Sequence, residues 1–96
     1  MNLKLQFTAG AELFLGGVKD HDVEISSEIR NMRQLIKWIR DDLIQDKFKT
    51  LFMLTDDLRP GILVLINDSD WEIFDTYNYE LVDKDNILFI STLHGG

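Results

Sequence analysis

Leu93-His94-Gly95-Gly96 closes the sequence, and a carboxylate placed behind two glycines is a group that other proteins can charge and discharge. Glycine has no β-carbon, so such a segment threads a narrow enzyme channel and meets an activating centre without steric conflict. An α-carboxylate with a pKa near ~3.5 is ionised at neutral pH and resists nucleophilic attack. Adenylation by ATP would turn it into an acyl donor. The acyl group could then pass to a thiol as a thioester, to a lysine amine as an isopeptide, or to a persulfide sulfur as a thiocarboxylate. Gly16-Gly17 has neither the spacing of a phosphate-binding loop nor that of a dinucleotide fingerprint, so the activating enzyme has to be a separate protein. The competing reading of the tail is a solvated stub.

Other chemistry is hard to build from these residues. The chain has no cysteine, which excludes a disulfide framework, a thiolate zinc site and a thiol nucleophile. His21 and His94 each lack a second ligand or nucleophile at a recognisable spacing. Asp68-x-Asp70 echoes a calcium loop without its glycine or its distal glutamate, and is read as turn chemistry. The adjacent pairs Asp41-Asp42 and Asp56-Asp57 diverge in any helix or loop and are read as solvated surface. The expectation is a carrier or substrate with no catalytic residue, no metal and no cofactor.

Charge narrows the partners. Seventeen acidic against ten basic residues give a net charge of −7. That is the wrong sign for gripping a phosphate backbone, but it favours encounter with a basic patch on another protein. No apolar stretch approaches the ~20 residues of a membrane span, and Met1-Asn2-Leu3-Lys4-Leu5 is not a signal-peptide pattern. A soluble monomer in the cytosol or nucleus is expected.

The elements that would carry the tail can be read from periodicity. Ninety-six residues suit one domain with a real core. Leu3, Leu5 and Phe7 alternate with polar residues as a half-buried strand, and Asp22-Val23-Glu24-Ile25 alternates again after a turn at Gly16-Gly17. Ala11 to Leu15 is apolar without a clear assignment. Asn31 with Gln34 three residues on is a variant capping box, and Met32, Leu35, Ile36, Ile39 and Leu43 then form the apolar stripe of a helix, with Trp38 at its edge. Lys47 to Leu58 reads as a loop with buried anchors. Ile62 to Ile66 is a strand after Arg59-Pro60-Gly61, Asn67 to Asp70 a turn, Trp71-Glu72-Ile73 a short strand, Asp75 to Asp85 a polar loop, and Ile87 to Ile90 a last strand. One helix against a mixed sheet is an α+β arrangement.

A single helix covers only one face of a sheet, whose other face normally alternates to polar. Ile62–Ile66 and Ile87–Ile90 contain no polar residue at all. With Val64, Ile66, Ile87 and Phe89 inward, the outward cluster is Leu63, Leu65, Leu88 and Ile90, a candidate docking surface unless a segment such as Ala11 to Leu15 folds over it. A one-residue shift in register would exchange the two faces.

Arg59-Pro60-Gly61-Ile62-Leu63-Val64-Leu65-Ile66-Asn67-Asp68-x-Asp70-Trp71-Glu72, followed by Leu88-Phe89-Ile90-Ser91-Thr92-Leu93-His94-Gly95-Gly96, resembles the ubiquitin-related modifier family of eukaryotic sulfur carriers. Gly10-Ala11-Glu12-Leu13 and Ile29-Arg30-Asn31 share the likeness; Lys19 to Glu28 and Asp75 to Asp85 match less well. The resemblance implies a β-grasp domain over residues 1–91 and a flexible tail over 92–96. It also implies that an E1-like adenylyltransferase with a sulfurtransferase domain converts Gly96 to a thiocarboxylate, with Leu93, His94 and Gly95 in its channel. The sulfur would pass to a thiouridylase complex acting on wobble uridine of cytosolic transfer RNA, and the same carboxyl would be joined to lysines of target proteins. Two alternatives stay open: a noncovalent ubiquitin-like interaction module that ignores the terminus, and a sulfur carrier for molybdopterin- or thiamine-type cofactor synthesis.

Overall fold

The computed structural model describes residues 1–91, so the tail residues Leu93, His94, Gly95 and Gly96 lie outside the described part. Strand β1 (Asn2–Thr8) buries Leu3, Leu5 and Phe7 and turns its even-numbered residues outward. The chain returns as β2 (Asp20–Glu24), antiparallel to β1 with Leu5 opposite His21 and Leu3 opposite Val23. Gly16 and Gly17, at φ 72° and 90°, make the turn before it, in a backbone region that side chains with a β-carbon avoid.

The helix begins where the capping residues placed it. The Asn31 side chain accepts the Gln34 N–H at 2.9 Å while the Gln34 side chain accepts the Asn31 N–H at 3.3 Å, which satisfies donors on both sides of the helix start. Helix α1 (Met32–Trp38) continues into a wider turn over Ile39–Leu43, closed by the Ile44 N–H to the Ile39 carbonyl at 3.0 Å. Met32, Leu35, Ile36 and Ile39 are fully buried, and Trp38 and Leu43 pack at the margin of the core.

Two sequence expectations need correction and one open assignment is filled. Lys47 to Leu58 is not a loop: it holds a short helix α2 (Lys49–Phe52) and a two-rung hairpin of β3 (Met53–Leu54) and β4 (Asp57–Leu58). Its apolar residues show no period because the segment changes conformation every few residues, although Phe52, Met53 and Leu58 do anchor it in the core. Trp71-Glu72-Ile73 is not a strand. The Asp70 carboxylate accepts the Glu72 N–H at 3.0 Å and winds Trp71–Phe74 into a 3₁₀ turn, leaving only β6 (Ser69–Asp70) to pair. Ala11–Leu15 is a 3₁₀ turn whose Ala11, Phe14 and Leu15 are buried, with Phe14 against the rings of Phe48 and Phe52, so it closes the helix side of the core and leaves Leu63 uncovered.

The remaining strands are β5 (Ile62–Ile66) and β7 (Asn86–Ser91). The sheet order is β2-β1-β7-β5-β6, with β1 and β7 parallel in the centre and the other pairs antiparallel. Asn67 and Asp68, both at positive φ, form the tight β5–β6 turn. Phe89 sits at the middle of the core, stacked on Phe7 at 5.1 Å and edge-on to Phe52 at 5.7 Å. A mixed sheet crossed on one face by one main helix is the β-grasp arrangement.

Candidate functional site

Parity along β5 and β7 decides what the open face of the sheet offers. Ile62, Val64 and Ile66 are buried, as are Ile87 and Phe89, while Leu63 is 53% exposed and Leu65, Leu88 and Ile90 are half-buried. Leu63 lies opposite Ile90 and Leu65 opposite Leu88, so the structure brings the four candidate docking residues together as two adjacent cross-strand pairs. Two residues along a strand advance ~7 Å, which keeps the pairs in one continuous patch.

That patch runs to the place where the tail starts. Ile62 pairs with Ser91, and Leu63 and Ile90 form the next rung, so the last described residue of the chain leaves from the upper end of the apolar surface. A partner that takes hold of Leu63 and Ile90 therefore stands beside Ser91.

The margins of the face were not anticipated from sequence. On the β1 side Gln6 stands opposite Leu88 and Thr8 opposite Ile90, and on the far side Asp70 stands opposite Leu65. Beyond β1, the outward residues of β2 are Asp20, Asp22 and Glu24, all exposed. Alternation in β2 was legible; which sheet margin its acids would occupy was not, because that depends on strand order.

A second unanticipated feature fixes the start of β7. Asp85 is only 5% exposed, and its carboxylate accepts the Tyr79 hydroxyl at 2.8 Å, the Val82 N–H at 2.8 Å and the Asn67 side-chain amide at 2.9 Å. One carboxylate thus ties the loop before β7 to the β5–β6 turn. Asp85→Ala leaves three donors without their acceptor and is expected to cost about 3 kcal/mol, and Asp85→Asn, which keeps the shape, about half that. Chemical denaturation of the two variants checks the order.

The same network raises Tyr79. Burial, and then the hydroxyl's bond to Asp85 and the field of that carboxylate, push its pKa up to about 12 from the ordinary 10. Tyr77 is also raised, first by burial, against the lowering effect of the Leu58 N–H that bonds its oxygen at 2.9 Å. A folded-state pKa above the unfolded value adds stability below pH 10 that is lost as the pH climbs towards 12. Ultraviolet phenolate absorbance of the folded protein should therefore stay low past pH 10, with denatured chain titrating near 10.

On the helix side, Arg33, Lys37 and Arg40 clamp the β3–β4 hairpin. Arg33 reaches the Asp56 carbonyl at 2.7 Å and the Asp57 carboxylate at 3.2 Å, Lys37 reaches the Asp56 carboxylate at 3.1 Å, and Arg40 reaches the Thr55 carbonyl at 3.4 Å while pairing with its neighbour Asp41 at 2.8 Å. The hydrogen bond from Lys37 holds the Asp56 carboxyl below the usual carboxylate range. Asp41, Asp56 and Asp57 are exposed partners of cations rather than an acid/base pair. Among the described residues no group of histidines and carboxylates is arranged to hold a metal ion.

Comparison with known proteins agrees with this architecture. The family model described as "Urm1 (Ubiquitin related modifier)" matches residues 2–96. Ubiquitin-related modifier 1 of Gallus gallus is 49% identical over 98 residues, covering 100% of this chain and 96% of the relative. Among solved structures, the Rurm1-related protein of Plasmodium yoelii superposes with a TM-score of 0.84 at 32% identity, covering 97% of this chain and 99% of its own. Urm1 of Trypanosoma brucei superposes with 0.81 at 31%, covering 99% and 95%. The likeness takes in the apolar strands, the capped helix and the sequence through the double glycine, and the chain belongs to the ubiquitin-related modifier family.

Proposed function

We propose that this protein is a sulfur carrier and protein modifier whose Gly96 carboxylate is the reacting group. The observation that carries the reading is a family match that runs through residue 96, over a terminus whose sequence is Leu93-His94-Gly95-Gly96. In the first step the Gly96 carboxylate attacks the α-phosphorus of ATP, held by an E1-like adenylating enzyme, and releases pyrophosphate. A persulfide on the activating enzyme then attacks the acyl carbon and displaces AMP. A second thiol cleaves the resulting acyl disulfide, leaving a thiocarboxylate on the carrier and a disulfide behind; a lysine amine attacking the acyl carbon gives an isopeptide instead. The carrier's sulfur goes to a thiouridylase complex for 2-thiolation of wobble uridine in cytosolic transfer RNA.

The folded domain takes part as a handle. Leu63, Leu65, Leu88 and Ile90 dock on the activating enzyme, Leu93, His94 and Gly95 fit its channel, and the cytosol is the compartment of the reaction. Continuity of the patch with Ser91 supports this division of labour, since docking binds the enzyme next to the segment it must receive.

Intact-mass spectrometry tests the reading. Incubation with an E1-like enzyme bearing a sulfurtransferase domain, ATP and a sulfur donor should replace one oxygen by sulfur at Gly96. Labelled sulfur should then pass to transfer RNA rather than to a cofactor precursor. A chain that stays unmodified with an enzyme competent on a relative's modifier would overturn it.

A further inference from the structure

Strand β2 forms one margin of the sheet, and its outer edge is open. The Phe7 N–H donates to the Lys19 carbonyl and the Ile25 N–H to the Met1 carbonyl, each at 2.9 Å. With Leu3 opposite Val23 and Leu5 opposite His21, the odd-numbered residues of β2 are the ones bonded to β1. The N–H and C=O groups of Asp20, Asp22 and Glu24 therefore point away from the sheet. Among the described residues none of them has a protein partner.

The side chains of those three residues share the outer face. None is ion-paired among the described residues; Asp20 accepts only the Gln6 amide, at 2.8 Å. At the opposite margin β6 has two residues, so β2 is the one margin strand long enough to template another. Acids at alternate positions repel a second copy of the same edge, which rules against self-pairing. They attract an extended segment with lysine or arginine at alternate positions, whose backbone completes the ladder while its cations lie across from Asp20, Asp22 and Glu24.

We propose that the β2 edge binds a lysine- or arginine-rich extended segment of the protein to be modified, by strand addition. The target identity rests on the modifier reading above; the docking itself does not. Reach agrees with it. An added strand would lie three strand spacings from β7, ~14 Å to the side, and Asp20, level with Leu88 through Gln6, is ~10 Å short of Ser91 along the strands, so a residue added beside Asp20 is ~17 Å from Ser91. Five residues of polypeptide span up to ~17 Å, so a lysine bound beside Asp20 lies within range of Gly96.

The test uses the full chain without activating enzyme or ATP, so it is independent of the carboxyl chemistry. A short synthetic peptide alternating lysine with valine is titrated in, and backbone amide NMR with hydrogen exchange is followed. Binding should protect the N–H groups of Asp20, Asp22 and Glu24 and weaken as salt rises. Asp22→Pro removes the central outward N–H without breaking a bond to β1, a substitution that a margin strand tolerates. It should weaken binding by at least about tenfold, since one backbone hydrogen bond and one of the three carboxylates are lost together. A peptide N-methylated at its edge-facing amides leaves the protein unaltered and should bind at least as weakly. Absence of binding, binding without protection of these three amides, or equal binding of the N-methylated peptide would overturn the proposal and leave the acids as edge protection alone.

Discussion

Phe89→Ala is expected to cost about 3–5 kcal/mol, while the same truncation at the neighbouring Leu88 costs under about 1 kcal/mol. Phe89 is fully buried between Phe7 and Phe52, so truncation removes a ring from the packed centre and leaves a cavity that the flanking strands cannot close. Domains of this size are stable by about 5–15 kcal/mol in total, and a Tm falls by roughly 4–8 °C for each kcal/mol lost. Phe89→Ala should thus melt at a much lower temperature. Leu88 points to the other face and shares its patch with Leu65 and Leu63. Leu88→Ala together with Leu63→Ala should leave the melting curve nearly in place but weaken the complex with the activating enzyme by about tenfold or more, as hot-spot truncations do. Calorimetry and a binding titration on both variants would separate the faces. A large stability loss from the Leu63/Leu88 pair, or unchanged binding, would remove the patch from the docking surface.

That contrast rests on a register that periodicity alone leaves two-valued. Ile62–Ile66 and Ile87–Ile90 are apolar at every position, so no alternation marks which residues face the helix; strand pairing resolves it, through Val64 opposite Phe89 in the core and Leu63 opposite Ile90 outside it. The helix was legible because its signals are local: a capping residue, its partner three positions on and a stripe at helical spacing. The short β3–β4 hairpin was not, since two-residue strands carry no measurable period and the Arg33 and Lys37 bonds that hold it come from a distant element. Asp85 gave no signal either. In sequence it is one acid in a polar stretch, and its value comes from Tyr79 and Asn67, which only the folded chain brings to it. The outward apolar cluster was legible through its unbroken apolar runs, but the place of the β2 acids at the sheet margin came from the strand order.

Deleting Gly96 is expected to abolish productive activation while leaving the fold and the docking step intact. Because the last described strand ends at Ser91, five positions before the deleted residue, thermal stability should not change. The shortened chain still ends in a glycine carboxylate, so charge and the absence of a side chain are kept and only position is lost. One residue withdraws the reacting carbon by ~3.4 Å from the point where the activating enzyme holds the phosphate. A misplacement of ~1 Å already costs about 100-fold in rate, so the deletion should lower kcat/KM by more than that, nearly all of it in kcat. Leu63→Ala should show the opposite split, raising KM with kcat preserved, because it removes binding that ground state and transition state share. The two variants together decide between chemistry at the terminus and a module that acts through its sheet alone. Single-turnover adenylation with an E1-like enzyme measures both, and a Gly96-deleted chain activated at the native rate would show that the terminal carboxylate is not the group on which this protein works.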